Sequence, residues 1–199
     1  MKLDYTWEEV ERWRHGVHHR GATTLIKNKN QALRFINRVG YCFAFKSDSV
    51  ELPSLWQAVT GFGLPPGHAH HPRKYYLSYA WEIRDILPEA GAIYYGKVIR
   101  GRPSVVSLEF LPYFYALTER SGLKGDYQTE YTRGRLSGTA KSIMDVLSKR
   151  SPQPTKELKH ILSRNGKSDG VGFDKAIDEL QTRMFVTKVL EQGRSHDAE

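Results

Sequence analysis

Three apolar stripes of helical spacing follow one another between residues 136 and 190, and this segment constrains the fold most. The first stripe predicts a helix over 136–149, because its apolar residues recur at spacings of four, three and four: Leu136, Ala140, Ile143 and Leu147. Pro152 and Pro154 end this helix, since proline cannot donate to a helical ladder. A second helix is predicted to begin at a Thr155 N-cap and to bury Leu158, Ile161 and Leu162.

A third helix is predicted from about Val171 to Arg183, after a polar loop over 164–172. The β-prone run from Phe185 to Leu190 follows at once and is expected to form the first strand of a wing. This order is typical of a winged helix, whose third helix can enter the major groove of DNA. A helical bundle that docks on protein is the alternative, because the geometry alone does not imply DNA contact.

The charge balance favours a partner that bears phosphates. The 199 residues include 30 Lys and Arg against 22 Asp and Glu, which gives a net charge of +8 and a pI near 9.5. Hydrophobic residues make up 39% of the chain and aromatic residues 12%, so a disordered chain is excluded. The expected partner is double-stranded DNA.

Cysteine usage and hydropathy predict a cytoplasmic protein. Cys42 is the single cysteine, which excludes an intramolecular disulfide and a thiolate zinc site. The first twenty residues are charged throughout, and no apolar run approaches the length of a membrane span. We therefore expect neither a signal peptide nor a membrane partner, and no cofactor.

The remaining elements predict a mainly helical α+β protein built from tandem winged-helix units. The expected domains are an N-terminal portion over 1–131 and a C-terminal winged helix over 132–199, with the polar residues 121–135 as the likeliest linker. Within the first domain the patterns predict a helix after Thr6, helices over 30–39, 52–61, 75–87 and 109–116, and a strand over 41–45.

A β-hairpin with a basic tip is predicted over residues 92–108. Two β-prone runs, 93–99 and 104–108, flank the sequence Arg100-Gly101-Arg102-Pro103. Arginine on a narrow protrusion can contact phosphates and a DNA groove without base-specific geometry. Lys97, Arg100 and Arg102 are therefore candidate DNA contacts, and an ordinary solvated turn is the alternative.

The third helix of the C-terminal domain is a doubtful reader of bases. Its outward positions include Asp174, Asp178 and Glu179, which would repel phosphates. Phosphate contact from the preceding loop is the better prediction. The candidates in this region are Arg164, Asn165, Lys167 and Arg183.

Histidines form two groups that resemble metal ligands. His68, His70 and His71 lie in a loop rich in glycine and proline, where an exposed polar loop is the preferred interpretation. His15 and His19 are four residues apart on the first helix, but the glutamate and the third ligand of a hydrolytic zinc motif are missing. We expect no metal site.

Three stretches together resemble a known family: TWEEVERWRHGVHH, LRFINRVGYCFAF and ELPSLW. With the closing winged helix, they are similar to the tandem winged-helix DNA glycosylases that unhook interstrand crosslinks (the AlkZ type) and, more closely, to relatives of those enzymes. The resemblance implies winged-helix units around a basic channel for duplex DNA. It also implies a β-hairpin that probes the groove, and base excision without a metal.

The catalytic Gln-x-Asp motif of that family does not carry over to this chain. With Val39-Gly40 as the anchor of the alignment, its positions fall on Phe43 and Phe45, which cannot accept a proton or orient a water. The resemblance therefore implies non-specific binding of duplex DNA in a repair-related role, without the glycosylase chemistry.

Two other functions remain open. A glycosylase that uses other residues predicts an acid buried behind the hairpin, because base excision needs an ionisable group in a pocket. A protein-interaction module predicts an apolar patch on the exposed side of the third helix.

Overall fold

The computed structural model describes residues 5–19, 25–45, 52–60, 82–164 and 170–189. It is mainly helical with one small antiparallel sheet, which confirms the α+β class. The chain divides into two compact units, the first comprising residues 1–95 with 102–111 and the second comprising residues 96–101 with 112–199. The predicted domain boundary between residues 131 and 132 stays a prediction.

Four helices and three strands are described up to residue 107. The helices are α1 (Trp7–Val17), α2 (Lys29–Val39), α3 (Leu55–Thr60) and α4 (the helical residues 82–89), and the strands are β1 (Tyr41–Phe43), β2 (Ile93–Ile99) and β3 (Arg102–Ser107). The sheet has the order β1-β3-β2. Tyr41 lies opposite Val106 in the antiparallel β1–β3 pair, so β3 is central.

Local side-chain chemistry sets the start of the first two helices. Thr6 caps α1, because its hydroxyl accepts from the Glu9 backbone N–H at 3.2 Å while the Glu9 carboxylate accepts from the Thr6 N–H at 2.8 Å. The hydrogen bonds that the Glu9 carboxylate accepts from the Thr6 N–H and the Thr6 hydroxyl lower the pKa of Glu9. Asn28 caps α2 in the same way by accepting from the Gln31 N–H at 2.9 Å.

The core of the first unit lies between α2, α3, α4 and the sheet. The pattern on α2 predicts an inward face, and Ala32, Phe35 and Ile36 are indeed buried. Gly40 ends α2 with φ +78° and leads directly into β1. The strand and the helix predicted at this point are both confirmed, although β1 ends at Phe43 and α3 begins only at Leu55.

Five helices follow the hairpin: α5 (Leu111–Ala116), α6 (Asp126–Thr132), α7 (Gly138–Leu147), α8 (Thr155–Arg164) and α9 (Gly170–Thr182). The three helices predicted from the apolar stripes correspond to α7, α8 and α9. Their apolar faces meet in the core of the second unit, whose largest fully buried side chains are Phe173, Ile143, Leu162 and Leu180. The prediction of a linker over 121–135 is wrong, because α6 lies within it and buries Tyr127 and Glu130.

The predicted wing strand is wrong over residues 185–189, which form no strand. Met184 adopts a left-handed conformation with φ +58°, and the Phe185 N–H donates to the Leu180 carbonyl at 2.8 Å, so α9 ends in a Schellman turn. Phe185 and Val186 then pack against the helical core.

The histidines that resemble metal ligands in the sequence have different surroundings in the structure. His18 is buried and His19 packs edge-on against Phe35 at 5.2 Å between ring centroids, whereas His68, His70 and His71 lie outside the described residues. Within the described ranges, no group of three His, Cys, Asp or Glu side chains is placed to hold a metal ion.

No helix in the part of the chain that the structure describes is long and apolar enough to cross a membrane.

Candidate nucleic-acid interface

The hairpin turn consists of two residues. Arg100 and Gly101 both have positive φ angles, +51° and +68°, which is the signature of a type I′ turn. Arg100 is exposed at this turn, whereas Arg102 and Pro103 belong to β3 and not to the tip that the sequence predicts. Arg102 is exposed at the first position of that strand. The turn therefore presents one guanidinium on the shortest possible loop.

Lys97, the third candidate of the hairpin, has an acidic partner. Its Nζ donates to Oδ1 of Asp178 on α9, although the two residues are 81 positions apart in the sequence. The lysine side chain is 26% exposed and that of the aspartate 53%. Lys97 therefore contributes to the packing of the second unit, and its contact with DNA stays a prediction.

Arg183 is held by the buried carboxylate of Glu130. Its Nη2 donates to Glu130 Oε2 at 2.5 Å, and Arg135 binds both oxygens of the same carboxylate through two nitrogens. Only 4% of the Glu130 side chain is exposed. The hydrogen bonds from Arg135, together with the charges of Arg183 and Arg133, lower the pKa of Glu130. This ion pair joins the ends of α6 and α9.

Arg120 satisfies the C-terminal end of α9. Its Nη1 donates to the carbonyls of Arg183 and Met184 at 2.9 and 2.7 Å, and its Nε donates to Asp126 Oδ2 at 3.0 Å. The guanidinium also lies 3.5 Å from the centroid of the Phe185 ring. Arg120 thus binds carbonyls that the helix leaves without partners, and the partial negative charge at this helix end favours its cation.

The exposed face of α9 is electrically balanced within the second unit. Asp174 accepts from Lys159 Nζ at 3.3 Å, and Asp178 accepts from Lys97. Glu179 accepts from the Ser137 N–H at 2.9 Å and so helps to start α7. These acids still line the face that would meet a groove, since the side chains of Asp174 and Asp178 are 71% and 53% exposed. This face offers no net attraction to phosphates.

The last group of candidates lies where α8 ends. Arg164 is exposed at the final residue of the helix, while Asn165 and Lys167 fall outside the described residues. Near the start of this helix the structure shows exposed cations that the sequence analysis did not single out: Lys149, Arg150 and Lys156.

Lys149 and Arg150 border a cleft of about 520 Å³ in the second unit, whose apolar lining includes Val146, Ile161 and Leu162. Asp145 lies on its wall, where it accepts from Tyr127 Oη at 3.1 Å and from Lys141 Nζ at 2.8 Å. The hydrogen bond to Asp145 raises the pKa of Lys141. Lys141 therefore neutralises the carboxylate of Asp145 in this cleft. No acid among the described residues pairs with Lys149 or Arg150 at its rim.

A second group of exposed cations, which are not among the predicted DNA contacts, lies on α2. Lys29, Arg34 and Arg38 are exposed, and none of them is paired with an acid within the described ranges. A signal was present in the sequence, because no Asp or Glu occurs between Glu11 and Asp48. The net charge of the whole chain does not show where along the sequence the cations are concentrated.

Phe43 and Phe45, the positions aligned with the catalytic motif, are packed among apolar residues. Phe43 is 2% exposed in β1, where it pairs with Ser104, and Phe45 packs against the core of the first unit. Asp48 lies outside the described residues. The buried acids among the described residues are Asp85 and Glu130.

Asp85 lies in α4 and is held by its neighbour in the chain. Arg84 donates to both of its carboxylate oxygens, at 2.7 and 2.8 Å, and the same guanidinium faces the Tyr95 ring of β2 at 5.9 Å. Burial raises the pKa of Tyr95. Both carboxylate oxygens of Asp85 are therefore engaged by the guanidinium of Arg84.

These observations define a mainly helical α+β protein with a basic hairpin turn and unpaired surface cations, as expected of a protein that meets phosphates. The chain belongs to the AlkZ-related family, whose model matches residues 26–198. Neither the curated proteins nor the solved structures include a match to the chain. Membership confirms the resemblance to AlkZ-type proteins and indicates DNA binding in the context of DNA repair.

Proposed function

We propose that this protein binds duplex DNA without sequence specificity, in a repair-related role, and that it lacks the glycosylase chemistry of the AlkZ type. The observation that carries the proposal is the placement of Arg100, an exposed cation on a two-residue turn with no partner within the described residues. The loop that follows Arg164 supplies the second set of contacts. Counterion release from the phosphates drives such binding, so the affinity falls steeply with salt.

The balanced face of α9 supports the absence of sequence specificity. Direct readout needs side chains that donate to or accept from base edges in the major groove. On α9 the acids Asp174, Asp178 and Glu179 are already engaged by donors of the same unit. We further propose that the helices of tandem winged-helix units act as a scaffold that orients the phosphate contacts.

The packing around Phe43 and Phe45 supports the absence of the chemistry. Both side chains contribute to the core of the first unit, and neither can ionise. An enzyme of this kind needs a group that accepts a proton or orients a water beside the sugar.

The test is fluorescence polarisation with plain, nicked and abasic duplexes across a salt series, followed by a denaturing gel of the same DNA. We expect salt-dependent binding of all three duplexes and intact strands on the gel. The variant Arg100→Ala with Arg102→Ala weakens binding, whereas Lys124→Ala with Lys175→Ala removes the same charge from exposed positions and serves as the matched control. An absence of binding at low salt would contradict the proposal.

One observation favours a second candidate, a glycosylase that uses another acid. Asp85 is 5% exposed, and its partner Arg84 packs against Tyr95 of the hairpin. A buried acid at this place is what such an enzyme requires, although the guanidinium of Arg84 occupies both of its carboxylate oxygens. Release of a damaged base from an alkylated duplex, lost in Asp85→Asn and kept in the exposed control Glu82→Gln, would establish this alternative.

A further inference from the structure

The excess positive charge of the chain is concentrated in one stretch. Residues 12–47 contain eight Lys and Arg and no acid: Arg12, Arg14, Arg20, Lys27, Lys29, Arg34, Arg38 and Lys46. The remaining 22 basic residues balance the 22 acidic ones, so this stretch accounts for the entire net charge of +8. A surface that serves only solubility mixes both signs.

Helix α2 presents the centre of this stretch to solvent. Its buried face consists of Ala32, Phe35 and Ile36. The opposite face, at spacings of four, three and one residues, is exposed and wholly basic or amide: Asn30, Arg34, Asn37 and Arg38. Lys27 and Lys29 are two further exposed cations near the N-terminal end of the helix. The amphipathic pattern that builds the core thus also aligns the cations along one side.

Among the described residues, no acid forms an ion pair with Lys29, Arg34 or Arg38. The described side chains of Lys29, Arg34 and Arg38 form neither an ion pair nor a hydrogen bond to a side chain. Arg34 and Arg38 are four residues apart, where like charges repel on a helix surface. Lys29 also lies at the end of the helix that disfavours a cation. The arrangement is therefore slightly unfavourable for folding alone.

We propose that this α2 face, defined by Asn30, Arg34, Asn37 and Arg38, contacts the phosphate backbone of DNA. The inference rests on the proposed function and adds a surface to it. The α-helical rise separates Arg34 and Arg38 by about 6 Å, so both guanidinium groups can reach phosphates of the same strand. The asparagine amides donate hydrogen bonds of the kind that position a protein on the backbone without reading sequence.

The test measures the salt dependence of binding for Arg34→Ala with Arg38→Ala. Each lost phosphate contact reduces the slope of log K against log salt by about 0.9, so we expect a slope smaller by about 1.8 and an affinity lower by at least about tenfold at moderate salt. The matched control is again Lys124→Ala with Lys175→Ala, two exposed cations outside the face, which leaves the slope nearly unchanged. Alanine favours the helical conformation, so we expect the variant to retain α2, and circular dichroism checks this.

The outcomes separate the two proposals. If the wild type binds duplex DNA and the α2 variant keeps both its affinity and its slope, the α2 face is not an interface while the proposed function stands. If the wild type does not bind at low salt, the proposed function fails and the inference fails with it. A variant in which Arg34→Glu and Arg38→Glu replace the cations by acids should lower the affinity further, and an unchanged affinity in it overturns the inference as well.

Discussion

Glu130 and Arg183 are 53 residues apart and meet in a hydrogen-bonded ion pair of 2.5 Å between Oε2 and Nη2. The pair forms at the C-terminal ends of α6 and α9, where Arg135 holds the second side of the carboxylate. An arginine that the sequence offers as a DNA contact is thus also part of the scaffold of the second unit.

Replacing Glu130 by glutamine should lower the stability of the protein at neutral pH, and the difference from the wild type should shrink in acid. Because the pKa of Glu130 is depressed from its ordinary value of 4.5, its stabilisation is present above that value and is lost as the pH falls through the lower folded pKa. We expect Tm to fall by roughly 5 °C at pH 7. Thermal melts at several pH values check this, with exposed Glu157→Gln as the control. A gap that is constant with pH would contradict it.

Replacing Arg120 by lysine should destabilise the second unit by about 2–3 kcal/mol. A lysine has a single donor head and cannot serve Asp126 and the carbonyls of Arg183 and Met184 at once. Urea unfolding measures the effect, and Arg150→Lys makes the same exchange at an exposed position. Equal midpoints for the two variants would show that the fork geometry is dispensable.

The variant Arg100→Asn should be more stable than the wild type and should bind DNA more weakly. Arg100 has φ +51°, and asparagine adopts this conformation more easily than arginine does. The expected gain is about 0.5–1 kcal/mol. Arg102→Asn, in the adjacent extended strand, is the comparison and should bring no gain. Chemical denaturation and fluorescence polarisation of the same samples decide the matter; a loss of stability would rule out strain at the turn.

Gly40→Ala should destabilise the first unit by about 2–4 kcal/mol. A Cβ at this position would lie 2.9 Å from the ring of Phe110, and φ is +78°. Gly16→Ala is the matched control, because a Cβ there meets nothing within 4 Å and the residue is helical. That control should be neutral or stabilising by up to about 1 kcal/mol. Similar unfolding midpoints for both variants would contradict the close approach of Phe110.

Cys42 should be inert toward thiol reagents in the folded protein. Burial raises the pKa of its thiol to about 12, so almost no thiolate is present at neutral pH. Titration with a chromogenic disulfide should show no reaction in buffer and one thiol per chain in denaturant. Rapid reaction of the native protein would mean that β1 opens readily.

Elements whose determinants are close in sequence could be predicted. The capping box of Thr6 and Glu9, the periodicity of α2 and its end at Gly40 depend on residues within one or two turns, and the hairpin depends on two β-prone runs around a glycine. The loop predicted from the sequence is two residues longer than the observed one, because Arg102 and Pro103 belong to β3. The Pro103 carbonyl accepts a hydrogen bond from the Ala44 N–H, a partner that is distant in the sequence.

Features that depend on distant partners could not be predicted. Helix α6 lies in a polar, glycine-containing segment, and Tyr127 and Glu130 become buried only because Asp145 and Arg183 supply their partners. The same reason explains why Lys97 turned out to be paired with Asp178. Helix α1 shows the converse. It begins after Thr6 as predicted, yet Trp13 within it is 66% exposed, because the spacing of apolar residues does not tell whether another element covers them.

The internal pairing of the acids on α9 has a consequence for movement along DNA. A protein that searches a duplex must cross every base pair at nearly the same free energy, because deep sequence-dependent minima would stop it. A surface whose polar groups are occupied by its own chain adds little roughness to that path. Under the proposed function, pauses would then reflect how easily the duplex itself bends or opens, and damaged positions differ from intact DNA in that property.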